Sequence, residues 1–253
     1  MTSFDNLALV YDNTIDWTAR LNRELPFLLS LLNDPKQSRV LDVACGSGHH
    51  SIALGEKGAE VIGFDSSEAM ISAARKYNDE KHINVQFIIA EMERITDVVE
   101  GQFDLVICLG NSLALVNTIE SLSSVVKNIY ALLKEGASFL AQVLNFEEIH
   151  WTGFRTFPLK SGTLSNGEEI TFSRMFEHTD YPFSSTLVMS AFRNDGERWV
   201  SEVSTQKVLN LKYDLSKKIL EDAGFSSVEF FSDFERNPLD RKYDRNMVIH
   251  CIK

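Results

Sequence analysis

The chain has little cysteine, little positive charge and no long apolar run, and each shortage closes off a class of function. Three cysteines, Cys45, Cys108 and Cys251, stand far apart among 253 residues. None forms a metal-binding pair, so no metal is expected, and an odd, scattered set of thiols does not build a disulfide framework. The apolar runs fall well short of the ~20 residues of a membrane span. Met1-Thr-Ser-Phe-Asp-Asn6 has neither the basic flank nor the apolar block of a secretory leader, which makes the cytoplasm the expected location. With 25 Lys and Arg against 36 Asp and Glu, the formal charge is −11. Nucleic-acid binding rests on neutralising phosphates, so nucleic acid is not an expected partner. A small molecule is. No feature of the sequence fixes the oligomeric state.

What is present is an alternation of strands and helices. Apolar residues at helical spacing (Leu21, Leu25, Leu28, Leu29, Leu32) predict a helix between Thr18 and Leu32, stopped by Asn33-Asp-Pro35. Strands are then predicted over 39–43, 60–64, 85–90, 104–109 and 137–144, and helices over 48–57, 67–78 and 119–133, with Gly136 as a turn before the last strand. Such alternation implies a doubly wound, Rossmann-like parallel sheet. After Asn145 the pattern changes. Residues 168–178, 185–193 and 197–210 read as three antiparallel strands, the last two joined by a hairpin turn at Asn194-Asp-Gly196. This insertion is expected over the ligand pocket as a substrate lid. A helix at Tyr213–Ala223, ended by Gly224, and two final strands close the chain. The expected division is a helical cap (1–36), a core (37–146 and 212–253) and a β insertion (147–211).

The most specific stretch is Val40-Leu-Asp-Val-Ala-Cys-Gly-Ser-Gly-His-His50, a strand, a glycine turn and a helix start. The next apolar run, Val61-Ile-Gly-Phe-Asp65, ends in an acid. A glycine turn after the first strand and an acid after the second is the layout of a ribose-binding site. A dinucleotide fingerprint would need a third glycine where Ser51 stands, which weighs against a nicotinamide-dependent dehydrogenase. Asp42 lies within a buried strand, so it is expected to bind either amides of the glycine turn or an amino group of a ligand.

The nine residues from Val40 to Gly48 resemble motif I of class I S-adenosylmethionine-dependent methyltransferases. Val61–Met70 resembles motif II, Val85–Met92 a third motif ending in Glu91-Met92, and Phe103–Ser112 motif IV. The resemblance implies a seven-stranded sheet with an antiparallel last strand, S-adenosylmethionine as cofactor and S-adenosylhomocysteine as product. Carried onto this sequence, it implies cofactor contacts at Asp42, Ala44, Gly46, Gly48, Asp65 (both ribose hydroxyls), Ser66, Met70, Glu91, Met92, Leu109, Asn111 and Ser112. Cys108-Leu-Gly-Asn-Ser112 has no proline and so lacks the motif of base-amino methyltransferases. It is similar to glycine and sarcosine N-methyltransferases and related small-molecule enzymes. Phe4-Asp-Asn-Leu-Ala-Leu-Val-Tyr11-Asp12, Gln142–Phe146 and the tail resemble the same group. That pattern has a histidine where this chain has Leu115. Its amino-acid-binding arginine has two candidates, Arg155 and Arg174.

Methyl transfer from a sulfonium is an in-line displacement that asks mainly for alignment and exclusion of water. Tyr11 is the candidate for the active-site wall, and Trp17 and Arg20 for capping the cofactor. Tyr181, Phe183 and Arg155 are candidates for lining a substrate pocket, and either His49 or His50 for touching ligand. The expectation is transfer to a nitrogen or oxygen of a small acceptor. A cofactor-binding partner subunit without turnover is the alternative from another class.

Overall fold

The computed structural model describes residues 11–12, 14–163, 169–180, 182–194 and 198–253. Helix α1 (Trp17–Ser30) is capped by Asp16, whose side chain accepts from the Ala19 amide. Then follow β1 (Arg39–Val43), α2 (His49–Glu56), β2 (Glu60–Asp65), α3 (Glu68–Lys81), β3 (Val85–Ile89), the short α4 (Ile95–Val98), β4 (Phe103–Cys108), α5 (Ile119–Leu132) and β5 (Leu133–Leu144). Helix α6 (Phe146–Thr152) leads to β6 (Lys160–Thr163), β7 (Glu169–Asp180), β8 (Ser184–Asn194) and β9 (Trp199–Leu209). Helix α7 (Tyr213–Ala223), β10 (Ser227–Phe231) and β11 (Asn246–Ile252) complete the chain.

Seven strands form one sheet in the order β10-β11-β5-β4-β1-β2-β3. Strands β1 to β5 run parallel, and β11 is antiparallel to both β5 and β10. The order reverses between β1 and β4, and in open α/β sheets ligands bind at such a switch point, beyond the carboxyl ends of the strands. The central strands are buried on both faces: Val40, Leu41, Val43, Leu105, Val106 and Ile107 are all fully enclosed. Among the described residues no helix is long and apolar enough to cross a membrane.

The expected alternation is present, with the short α4 added between β3 and β4 and three larger differences. Strand β5 starts at Leu133, earlier than its predicted start at 137. Gly136 (φ +74°) makes a bulge there instead of a turn: β4 advances from Phe103 to Leu105 while β5 advances from Leu133 to Ser138. The insertion has four strands, β6-β7-β8-β9, because Lys160–Thr163 pairs with β7. Between Asn145 and that sheet lies α6, which the sequence reading did not contain. The hairpin turn expected at Asn194-Asp-Gly196 falls partly outside the described residues, and the segment from Phe4 to Val10 wholly so. Phe176, Val208 and Leu209 of the second sheet join the main core, so the insertion packs on it.

One buried ion pair fastens α6 to the main sheet. Arg245 donates from Nε and Nη2 to the two carboxylate oxygens of Glu148, each at 2.7 Å, and Glu148 is 3% exposed. Removing one partner of such a pair leaves a charge out of water. Arg245→Ala is therefore expected to lower unfolding free energy by about 3 kcal/mol. Adding Glu148→Gln should restore part of it, as read from denaturant midpoints. A single variant as stable as wild type would show the pair to be dispensable.

Candidate functional site

Three left-handed residues build the turn between β1 and α2: Ala44 (φ +57°), Gly46 (φ +55°) and Gly48 (φ +79°). The two glycines do different work. A Cβ on Gly46 would meet nothing within 4 Å, and this bare backbone faces a cavity. A Cβ on Gly48 would sit 2.6 Å from the Phe87 ring and 2.9 Å from Ala74, so this glycine lets α2, α3 and β3 pack together. Gly48 does not line the cavity.

The cavity, of about 1230 Å³, opens over the carboxyl ends of the parallel strands. Asp42, Ala44, Gly46, Asp65, Ser66, Met70, Glu91, Met92, Leu109, Asn111 and Ser112 all line it, as do Tyr11, Trp17, Arg20, Arg174 and Leu115. At the end of β2, Asp65 accepts from the Gly46 amide (Oδ2, 2.9 Å) and the Ser67 amide (Oδ1, 2.9 Å). These two bonds aim the carboxylate, and an ionised carboxylate accepts about four donors in all. Asn111 is also left-handed (φ +70°) and holds β4 to β5: its amide donates to the Gln142 carbonyl, and its Oδ1 accepts from the Leu144 amide. Asp104 lies away from the cavity, bonded to the Arg39 amide and Lys134.

Asp42 is 3% exposed and takes a bond from the Ser51 hydroxyl at 2.6 Å. Of the two expected partners, turn amides or a ligand amino group, the Gly46 amide serves Asp65 instead, and Ser51, in the first turn of α2, reaches back to Asp42. Burial pushes the Asp42 carboxyl up to about 6, with His50 and the Ser51 bonds opposing.

A buried polar network fastens α1 over the turn. Glu24, 3% exposed, accepts from Arg20 Nε (3.0 Å), Arg23 Nη2 (3.1 Å) and His50 Nε2 (2.8 Å). Burial pushes the Glu24 carboxyl up, but the His50 bond and the Arg20 charge outweigh it and leave it below the usual range. Ser47 donates to Asp12, whose carboxyl is raised by burial. Trp17 stacks on His49 with centroids 4.2 Å apart, and Arg20 lies over the Trp17 ring at 4.8 Å. Burial lowers the His49 pKa to about 4, so the ring is neutral at physiological pH. His50 lines the cavity; His49 does not. Sequence reasoning missed Glu24. Its signal was position: an acid three residues after Leu21 and four before Leu28 shares their helical stripe.

The second sheet supplies the opposite wall. Arg174 places its Cζ 4.2 Å from the Tyr11 ring centre and 4.4 Å from that of Phe157, and Lys160 Nζ lies 5.0 Å from the same Tyr11 ring. Burial lowers the Arg174 pKa, a bond with Tyr11 opposing. Among the described residues neither cation meets a carboxylate. Arg155, the other arginine candidate, pairs with Glu177 (3.2 Å) on the exposed side and does not line the cavity. Phe183 is solvent-exposed and also absent from the lining, because it sits at the β7–β8 turn. Tyr181 lies outside the described residues.

A switch-point cavity with a bare glycine turn and an aimed acid at the next strand end defines a nucleoside-binding α/β enzyme. Comparison with known proteins narrows the class. A methyltransferase domain family matches residues 40–136. Glycine/sarcosine N-methyltransferase of Parasynechococcus marenigrum (strain WH8102) is 27% identical over 227 residues, covering 90% of this chain and 77% of its own. Mouse glycine N-methyltransferase is 36% identical over 149 residues, and the match spans 54% of this chain and 51% of the mouse enzyme. A crystal structure of a S-adenosylmethionine-dependent methyltransferase from Clostridium acetobutylicum shares the fold with a TM-score of 0.77, at 16% identity and 99% coverage of both chains. The chain is a class I S-adenosylmethionine-dependent methyltransferase.

The raised Asp42 pKa has a consequence for stability. Its folded value of about 6 exceeds the ordinary 3.8. The fold therefore prefers the protonated acid, and that contribution disappears as pH rises through about 6. Asp42→Asn cannot ionise, so relative to wild type it should gain about 2 kcal/mol between about pH 4 and pH 8. A stability difference that stays constant across that range would assign Asp42 an ordinary pKa.

Proposed function

We propose that the enzyme transfers a methyl group to the amine of a small acceptor that carries a carboxylate, with Arg174 holding the carboxylate. The observation that carries this reading is a guanidinium on the cavity wall, gripped by Tyr11 and Phe157, with no carboxylate of its own among the described residues. A desolvated guanidinium is costly without an anion, and its planar fork matches a carboxylate. Relatives named for glycine and sarcosine methylation support an amine as the nucleophile.

In this reading residues 37–146 and 212–253 carry the cofactor, the helical cap 1–36 closes over it, and 147–211 recognises the acceptor. The fit to the cofactor rests on the open backbone at Gly46 and on the Asp65 carboxylate that two amides aim. Asp65 would take the ribose hydroxyls, Met70, Glu91 and Met92 would flank the adenine, and Trp17 and Arg20 would cap the amino-acid end. The cofactor supplies a methyl already activated by a sulfonium. The chain itself orients and encloses: Tyr11 walls the site, Arg174 fixes the acceptor's carboxylate, and the apolar side chains Leu115, Leu187 and Met189 keep water from the amine. A neutral amine brings its own lone pair, so no side chain has to remove a proton before attack.

Release of S-adenosylhomocysteine across glycine, sarcosine and matched amines without a carboxylate tests the reading. Turnover should favour the carboxylated amines, and Arg174→Met should lower their kcat/KM by about 10- to 100-fold, the loss of a charge-assisted pair. Equal turnover of both amine classes would overturn it. Separately, Asp65→Ala should weaken cofactor binding by about 1–3 kcal/mol. Unchanged affinity by calorimetry would remove Asp65 from the ribose contact.

A further inference from the structure

The four Lys and Arg side chains of the cavity wall fall into two sets. Arg20 and Arg23 share the Glu24 carboxylate. Lys160 and Arg174 are not paired with any carboxylate of the described residues, although eight carboxylates line the same cavity. Both unpaired cations lie on the inner face of the second sheet. Lys160 stands opposite Phe172 in the β6–β7 register, and Arg174 is two residues along β7, on the same face. Both approach one aromatic ring, Lys160 Nζ at 5.0 Å and Arg174 Cζ at 4.2 Å from the Tyr11 centre, so they lie within about 9 Å of each other.

Two like charges on a partly desolvated wall repel, and an anion between or beside them relieves that repulsion. One carboxylate occupies one fork of a guanidinium. The ammonium beside it then remains without a partner, while a second negative charge on the same ligand would satisfy it. Lysine is a compact point charge on a flexible stem, suited to a group whose position varies more than that of the first carboxylate.

We propose that Lys160 selects acceptors bearing a second negative charge, so that the preferred substrate class is an amine with a dianionic body, either a dicarboxylic amine or an amine with a phosphonate or phosphate group. The inference rests on the reading of Arg174 as the holder of the first anionic group. It goes beyond that reading in assigning the residue that separates such acceptors from glycine and sarcosine.

The test compares kcat/KM for glycine and sarcosine, for aspartate, glutamate and iminodiacetate, and for aminomethylphosphonate. The wild-type enzyme should favour at least one member of the dianionic groups over glycine and sarcosine by tenfold or more. Whether it is a dicarboxylate or the phosphonate identifies the second anionic group. Lys160→Gln should shrink that preference by at least fivefold, chiefly through KM, and Lys160→Arg should keep most of it. A wild-type preference for glycine or sarcosine would overturn the assignment, and so would a preference that Lys160→Gln leaves intact. Either outcome leaves Arg174 in place as long as carboxylated amines are still methylated. Turnover confined to amines without any anionic group would instead remove the reading of Arg174, and this inference with it.

Discussion

A carboxylate taken out of water must be surrounded by donors, and Glu24 turns that requirement into architecture. Its partners come from two elements, Arg20 and Arg23 on its own helix and His50 at the start of α2. Because His50 follows the glycine turn by two residues, satisfying Glu24 fixes the cap helix over that turn. The same bonds hold Arg20 over the Trp17 ring and on the cavity wall. Breaking this hub would cost more than one ion pair, since a buried acid without donors is strongly disfavoured. The cavity thus depends on a buried acid of its own wall.

The cavity is electrically divided. Its floor and cap hold acids whose charges are spent on fixed donors: Asp65 on two backbone amides, Glu24 on three side chains, Asp42 on Ser51. Its opposite wall holds two cations set over aromatic rings, with no carboxylate partner among the described residues. Methyl transfer from a sulfonium brings a cationic donor toward its nucleophile. Under the proposed function the acids of the floor would favour the first, and the cations of the far wall an acceptor whose negative charge lies away from the reacting atom. In a protein of net charge −11 an anionic ligand meets repulsion elsewhere, so the cationic wall also sets where such a ligand can settle.

Much of this was legible in the sequence where the cause was local. Strand, glycine turn and helix start follow from neighbouring residues, and so do the acids that end β2 and β3. The order of motifs along the chain then carried the parallel sheet. Local reasoning failed where a distant partner decided the outcome. Gly136 reads as a turn until β4 and Lys253 hold it within a continuous strand as a bulge. Nor does the motif alone give the packing of Phe87 and Ala74 against Gly48. Arg174 and Arg155 looked equivalent, yet the alternation Ile170, Phe172, Arg174, Phe176 puts Arg174 on the apolar face of β7, whereas Glu177 takes Arg155 to the surface. Lys160 had no such signal. Its strand is short and exists only because β7 pairs with it.

Tyr11 shows why neither the motifs nor the insertion alone makes the site. It precedes the cap helix, yet its ring meets Phe172 edge-on at 6.0 Å and carries both Arg174 and Lys160 on the second sheet. Its neighbour Asp12 is tied to Ser47 inside the glycine turn. Two adjacent residues therefore join the glycine turn to the second sheet. Any displacement of this segment moves the cationic wall relative to the turn, and in-line transfer is sensitive to misplacements on the order of 1 Å. Under the proposed function, reaction geometry would accordingly be set at the junction between cap and second sheet, while the sheet motifs would set which cofactor is held.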